Sequence, residues 1–320
     1  MTVALLQRRL SNWAGGAVVL AAMLAPAAMS AAAPSSSAAT QGFQISPPVT
    51  TLNLDRGTST HGTMKVTNLT SQQITLTVAK ENFVAKGEEG QVELTDNADP
   101  LYSLAPYFTL DQTQINVAPA ATVSVGYTIS IPLNAEPGGR YGTVTFTSVP
   151  AALPSGQSGA AVRQQLAGLI LLRINGPTHE QLSIASFATD KKFYEYGPVS
   201  FVTRIQNEGN VHERPTGQIV VKDMFGLTTT KLTLDQQYVL PAAVRRLTNK
   251  LNRHFLLGPY TATVTVHNGA LQTLTAITKF TVIPYKLIIV VFLILLVIFL
   301  FFWKARRRFA RAVRILAGRE

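Results

Sequence analysis

The stretch Val117-Ala118-Pro119-Ala120-Ala121-Thr122-Val123-Ser124-Val125-Gly126-Tyr127-Thr128-Ile129 passes from a proline-interrupted apolar segment into alternation of polar residues with Val, Tyr and Ile. Such a period of two, carried by β-branched and aromatic residues, marks a strand with one wet and one buried face. The pattern recurs in Met64-Lys65-Val66-Thr67, Ile74-Thr75-Leu76-Thr77-Val78, Thr143-Val144-Thr145-Phe146, Gln218-Ile219-Val220-Val221 and Thr261-Ala262-Thr263-Val264-Thr265-Val266. Asn, Gly and Pro punctuate these runs, and nothing between the chain's two ends carries an apolar face at the helical period. The central part of the chain is therefore expected to be all-β, with antiparallel sheets.

Two halves share a series of cues in one order. Val66-Thr67-Asn68-Leu69-Thr70, Val117-Ala118-Pro119-Ala120-Ala121 and Gly139-Arg140-Tyr141 in the first correspond to Ile205-Gln206-Asn207-Glu208-Gly209-Asn210, Val239-Leu240-Pro241-Ala242-Ala243 and Gly258-Pro259-Tyr260 in the second. Pro to Tyr spans 22 residues in one and 19 in the other, whereas Asn to Pro spans 51 against 34, which places an insertion of about 17 residues between Asn82 and Pro106. Each cue has a local reading. Asn suits a tight hairpin because it accepts positive φ, Pro suits a sheet edge where no ladder N–H is required, and Tyr offers a ring to the core and a hydroxyl to nearby backbone, as in a tyrosine corner. The expected fold is two tandem immunoglobulin-like β-sandwiches, residues 42–177 and 178–284. Leu166 to Ile174, apolar almost throughout, reads as the last strand of the first, buried on both faces. Pro154 to Gly159 reads as a flexible hairpin tip before it.

The ends are of another kind. Residues 1–33 combine Arg8 and Arg9, an apolar stretch from Ala14 to Ala28 and small residues Ser30-Ala31-Ala32-Ala33, the three parts of a cleaved secretory signal. A twin-arginine signal fits Leu10-Ser11-Asn12 poorly, and glycines and alanines dilute the stretch as a membrane helix. Residues 34–41 read as a tether. Leu287 to Trp303 is 17 residues without a charge or glycine, enough at about 1.5 Å per residue to approach the thickness of a hydrocarbon core, so residues 286–303 are expected to be a transmembrane helix. Six basic residues from Lys304 to Arg314 follow it, and only Lys286 immediately precedes it. The positive-inside rule then places the basic tail, 304–320, in the cytoplasm and the N-terminus outside. Phe309, Val313 and Leu316 would let the tail lie on the inner leaflet with arginines on anionic lipid headgroups; the alternative is a plain stop-transfer signal.

Composition narrows the chemistry. The 320 residues hold no cysteine, so disulfide scaffolds, thiolate metal sites and cysteine nucleophiles are excluded. The formal charge of +11 is concentrated at the ends: the last 17 residues carry +6, while residues 31–303 hold 19 basic and 16 acidic side chains. No nucleic-acid-binding surface follows from that balance. His61, His179, His212, His254 and His267 have no metal-ligand spacing, and His212 and His254 read as exposed loop residues. No G-x-S-x-G elbow or phosphate-binding glycine loop is present. Glu88, Glu89, Glu93, Asp96, Asn97 and Asp99 cluster in the insertion; they lack the EF-hand order, and a solvated charged hairpin is favoured over a calcium site. Asn68-Leu69-Thr70 meets the N-glycosylation pattern but reads as a turn. No LPxTG sorting signal precedes the span. No catalytic, cofactor-binding or metal residue can be assigned, and an enzyme is not expected.

Phe43-Gln44-Ile45-Ser46-Pro47, the Val66-Thr67-Asn68 turn, Gly138-Gly139-Arg140-Tyr141-Gly142, the apolar last strand, the second module with Asn207-Glu208-Gly209-Asn210-Val211 and Leu240-Pro241, one span and a basic tail together resemble the bacterial cell-surface proteins that pair with WxL-domain proteins. The resemblance covers about residues 42–320 and rests on architecture and short cues. It implies a peptidoglycan-binding, chaperone-like first sandwich ahead of an immunoglobulin-like second one, with a structural or binding role at the envelope, and it brings no catalytic residues. The leading expectation is thus a membrane-anchored surface protein whose ectodomain binds cell-wall polymer or a secreted partner. The alternative is a membrane-tethered assembly chaperone or accessory subunit holding an exported protein's unpaired strand.

Overall fold

The computed structural model describes residues 42–149, 163–270 and 272–316, with side chains placed as far as Arg306. It shows an all-β chain of two tandem immunoglobulin-like sandwiches followed by one apolar helix. The first sandwich contains β1 (Phe43–Ser46), β2 (Val49–Leu54), β3 (Ser59–Asn68), β4 (Ile74–Lys86), β5 (Gln91–Thr95), β6 (Phe108–Leu110), β7 (Gln114–Val117), β8 (Thr122–Ser130), β9 (Gly138–Ser148) and β10 (Gln165–Ile174). One sheet has the order β1-β3-β8-β6 and the other β2-β10-β9-β4-β5, with β7 also on β4. The second sandwich contains β11 (Leu182–Thr189), β12 (Phe193–Tyr194), β13 (Val199–Asn207), β14 (Thr216–Lys222), β15 (Thr228–Thr233), β16 (Val244–Leu251), β17 (Gly258–His267) and β18 (Thr273–Val282), ordered β11-β13-β16 and β12-β18-β17-β14-β15.

The alternation read from the sequence sorts each strand's faces. Met64, Val66, Phe146, Ile170 and Leu172 fill the first core, and Phe201, Leu247, Val264 and Phe280 the second. Both copies open the same way: the chain begins in one sheet, crosses over, and then pairs in parallel with the last strand of its own sandwich. In the first copy the prolines Pro47-Pro48, which cannot donate to a ladder, separate β1 on β3 from β2 on β10. In the second, β11 pairs with β13, and β12 pairs with β18.

The shared cues form one device, with physical reasons other than those expected. Asn68 and Asn207 are completely buried at strand ends, with 0% exposure, and neither has positive φ. Asn68 Nδ2 donates to the Val117 and Gln72 carbonyls (3.0 and 2.7 Å), and its Oδ1 accepts the Thr70 N–H (2.8 Å). Asn207 repeats this: Nδ2 donates to the Val239 and Val211 carbonyls (2.9 and 2.8 Å), and Oδ1 accepts the Gly209 N–H (2.8 Å). The first cue thus holds the second. In the second cue, proline occupies the first central position of a tight turn rather than a ladder edge. Ala120 and Ala242 take the positive φ (54° and 58°), and the turns close from Ala121 N to Ala118 O and from Ala243 N to Leu240 O. Burial of Asn68, with its amide engaged, also excludes it as a glycan acceptor in the folded protein.

Two further expectations change. β10 is well buried only over its second half; the strand covered along nearly its whole length is β9, against which the segment Tyr102–Leu104 and, from the second sandwich, Asn210 and His212 lie. The helix α1 (Tyr285–Leu316) continues unbroken through the basic segment as 32 residues, instead of ending at Trp303 ahead of a separate surface helix. Residues 285–306 are long and apolar enough to cross a membrane. The signal, the tether and the Pro154–Gly159 tip lie outside the described residues.

Replacing Asn207 or Asn68 with Ala leaves buried backbone groups without partners, each costing about 1–3 kcal/mol. Urea titration is expected to show a loss of at least about 2 kcal/mol for each variant, and an unchanged midpoint would remove the device from the fold's stability.

Candidate functional site

The joint between the sandwiches is short, running from Ile174 at the end of β10 to Leu182 at the start of β11, and it is tied down throughout. Arg173 pairs with Glu180 (2.6 Å) and donates to the Thr178 hydroxyl (2.9 Å). Asn210 ties two other segments at once: its Oδ1 accepts the His179 N–H (2.9 Å), its N–H donates to the His179 carbonyl (2.9 Å), and its carbonyl accepts the Gly139 N–H (2.8 Å). An apolar seam fills the interior of the joint. Phe83, Tyr141 and Leu171 are buried from the first sandwich, against Tyr238 and Leu240 of the second.

The acidic hairpin closes the outer side. It is not solvated, as the sequence reading favoured; its tip docks on the second sandwich. Arg204 on β13 grips Glu88 with both ends of its guanidinium, Nε donating to Oε2 at 2.7 Å and Nη2 to Oε1. Arg246 on β16 donates its backbone N–H to the Glu88 carbonyl (2.9 Å) and its guanidinium to Glu89 (3.1 Å). The Arg204 guanidinium holds the Glu88 carboxyl below the usual carboxylate range. Gly90 lies so close to the Arg245 guanidinium, at φ +84°, that a Cβ there would overlap it. Glu93 pairs with Lys86 (3.4 Å), and among the described residues no three acidic or histidine side chains converge as a metal site.

Two hollows remain along the joint. One, of about 290 Å³, is largely apolar and lined by Val49, Phe83, Leu169, Tyr238 and Val244 among others. The second, about 510 Å³, is polar, with Thr51, Asn53, Arg173, Glu180, His212 and Glu213 in its wall. Tyr238 borders both. So does β2, through Val49 on one side and Thr51 and Asn53 on the other. β2 ends its sheet. The Leu169 N–H bonds to Pro48 O and the Asn175 N–H to Leu54 O, so the backbone groups of alternate residues along β2 face β10. Those of Val49, Thr51 and Asn53 must face outward, and no hydrogen bond to them is present among the described residues. The joint therefore carries an open strand edge between an apolar and a polar hollow.

His212 is not the exposed loop residue expected from the sequence. It is wedged between Tyr141 (ring centroids 5.7 Å) and Tyr238 (5.7 Å), with its Nδ1 3.4 Å from the Tyr141 hydroxyl. Burial, assisted by the Arg173 charge, pushes its pKa down to about 4. Tyr141 is pushed up by burial and is a joint residue rather than a tyrosine corner, whereas Tyr260 does accept the Leu257 N–H on its hydroxyl (3.2 Å). His254 is exposed and stacks on Tyr196. Glu213 lies in the wall of the polar hollow with one carboxylate oxygen unpartnered, and burial raises its pKa. The sequence reading missed Arg204, Arg246, Tyr238 and β2. The pairing of Glu88-Glu89 with Arg245-Arg246 was the one signal that could have pointed to the contact.

No protein-family model matches the chain, and neither does any curated protein. Solved structures do. The class 5 fimbriae chaperone CfaA matches at 13% identity and TM-score 0.37 over 75% of this chain and 99% of its own. The Salmonella enterica SafB chaperone in complex with SafA pilin is found at 12% identity and TM-score 0.37, covering 75% and 96%. A PapD-like domain of human CEP192 matches at 12% identity and TM-score 0.30, covering 45% and 93%. At these identities and TM-scores the likeness says nothing of a shared partner.

The joint is expected to be acid-sensitive. His212 in the closed joint refuses the proton that an opened joint accepts near pH 6.5, so closure weakens as pH falls from about 6.5 toward 4, with a limiting slope of about 1.4 kcal/mol per pH unit. The Glu88 ion pair contributes fully above the ordinary carboxylate pKa and is lost as pH falls through the depressed one. Unfolding titrations at pH 7, 6 and 5 should show this slope in the native chain and a much flatter one in His212→Gln; equal slopes would place His212 outside the joint's energetics.

Proposed function

We propose that this is a membrane-anchored binding protein without catalysis, whose ectodomain receives an extended segment of an exported protein along β2, as an assembly chaperone or accessory subunit does. The observation that carries this reading is the unpaired outer edge of β2 between the two hollows. An added strand would satisfy the outward backbone groups of Val49, Thr51 and Asn53, each bond being worth about 0.5–1.5 kcal/mol net. Its alternating side chains would meet the apolar hollow beside Val49 and Tyr238, giving selectivity.

A cell-wall polymer suits the site less well. The polar hollow's Arg173 and Glu180 are engaged with each other, and the larger part of the other lining is aliphatic. A stable surface scaffold remains the second reading, since strand addition serves a permanent complex as well as a transient one. In either case α1 anchors the chain, and the arginines after Lys304 stay on the cytoplasmic side.

A photoreactive residue at Thr51 in whole cells is expected to give one saturable adduct with an exported protein. Thr51→Pro, which removes an outward N–H while sparing the bonds to β10, should reduce capture at least tenfold at unchanged melting temperature. Undiminished capture by Thr51→Pro would exclude strand addition. Pulse–chase decay of the adduct would assign the chaperone, and persistence the scaffold.

A further inference from the structure

The strand registers bring a set of exposed apolar residues to the end of the second sandwich from which α1 departs. Gly258 opposes Val282, so the loop ahead of β17 lies where β18 finishes. β14 runs antiparallel to β17, with Lys222 opposite Thr261, so the turn after Lys222 points to the same end. Phe193 lies beside Thr281. Only Ile283 and Pro284 separate β18 from α1.

These loops present their largest apolar side chains to solvent: Phe225 is 79% exposed, Phe193 72% and Phe255 61%, with Met224, Leu227 and Leu257 also exposed. The two main loops are neighbours, because Arg253 donates to the Thr229 carbonyl (3.3 Å) and a Cβ on Gly258 would meet the Met224 side chain. Nor are they loose. Asp223 Oδ1 accepts the Phe225 and Leu227 N–H groups (3.0 and 2.9 Å), which holds the turn in shape. Met224 packs on Gly258, but Phe225 at the tip of this built turn leaves most of its ring in water, which is costly.

The base of the helix is held to this end. Lys286 pairs with Glu195 (2.9 Å), and the Ile283 N–H donates to the Tyr194 carbonyl (2.8 Å). The acids at this end are engaged, Asp223 in its turn, Asp190 by the Tyr194 hydroxyl and the Ser200 N–H, and Glu195 with Lys286, while Lys222 and Arg253 lie beside the apolar tips. An apolar cluster rimmed by cations suits the headgroup layer of a bilayer.

We propose that the loops Met224–Leu227 and Phe255–Leu257 sit in the headgroup layer of the membrane that α1 crosses, so that the second sandwich rests on the bilayer instead of swinging from it. The proposal relies on α1 being a span and is independent of what binds β2. The chain has no native cysteine, so single cysteines at Phe225, Phe255, Leu133 and Leu295 of the full-length protein can carry an environment-sensitive fluorophore in phosphatidylglycerol–phosphatidylethanolamine vesicles. Lipids with a nitroxide near the headgroup are expected to quench the labels at Phe225 and Phe255 several-fold more than that at Leu133, an exposed apolar residue of the first sandwich, with iodide ranking those three the other way. A Leu295 label shielded from iodide, together with labels at Phe225 and Phe255 no more quenched by lipid than at Leu133, would overturn the loop contact alone. Shielding of Phe225 and Phe255 from both quenchers would assign the patch to a protein contact and overturn it as well. Iodide access at Leu295 would remove the span and the proposal with it.

Discussion

The grip of Arg204 on Glu88, together with the Arg246 N–H on the same residue's carbonyl, makes one frame of two sandwiches. Partly exposed ion pairs are worth little singly, about 0–1 kcal/mol. Here the pair acts together with a backbone hydrogen bond, a second arginine on Glu89 and the apolar seam of Phe83, Tyr141 and Leu171 against Tyr238 and Leu240. The short tied linker brings the partners together in advance, so little chain entropy opposes the contact. Without the clasp the hollows beside β2 would have no fixed far wall.

The two sandwiches repeat one internal design and differ where function would require it. Both pair the second segment of the chain in parallel with the closing strand, and both tie a buried Asn to the Val of a Val-x-Pro-Ala-Ala turn. Both carry a hairpin at the far edge of the larger sheet, β4–β5 and β14–β15, so the extra residues of the first copy are not the acidic hairpin but the segment after β5 that bears β6 and β7. That segment is bound to the base of the hairpin, since Asn82 Oδ1 on β4 accepts the Leu104 and Ala105 N–H groups (3.1 and 2.9 Å). The hairpin is thus rooted in its own sandwich while its tip lies on the other.

Strand content, the duplication and the apolar helix were legible because they are local or periodic properties. The period of two in Thr122–Ile129 reports a half-buried strand regardless of its partner. Reasons that depend on distant residues were not legible. Asn68 looked like a turn former because its partner, Val117, is 49 positions away. Glu88 and Glu89 looked solvated because their arginines lie 116 and 157 positions on. β2 was not singled out at all: its threonines and asparagine dilute the apolar pattern, and its edge becomes meaningful only once Leu169–Ile174 is placed alongside it. His212 was read as exposed for the same reason, since the aromatic rings around it come from both sandwiches.

The rigid frame of the two sandwiches stands or falls on the clasp. Spin labels on cysteines introduced at Lys65 and Lys231, exposed residues of the first and second sandwich, would report the distance between the two by double electron–electron resonance in the full-length protein. A single narrow distribution is predicted for the native background, broadening markedly on Glu88→Lys and narrowing again when Arg204→Glu is added. A distribution that is already broad in the native background, or equally narrow in all three, would contradict it.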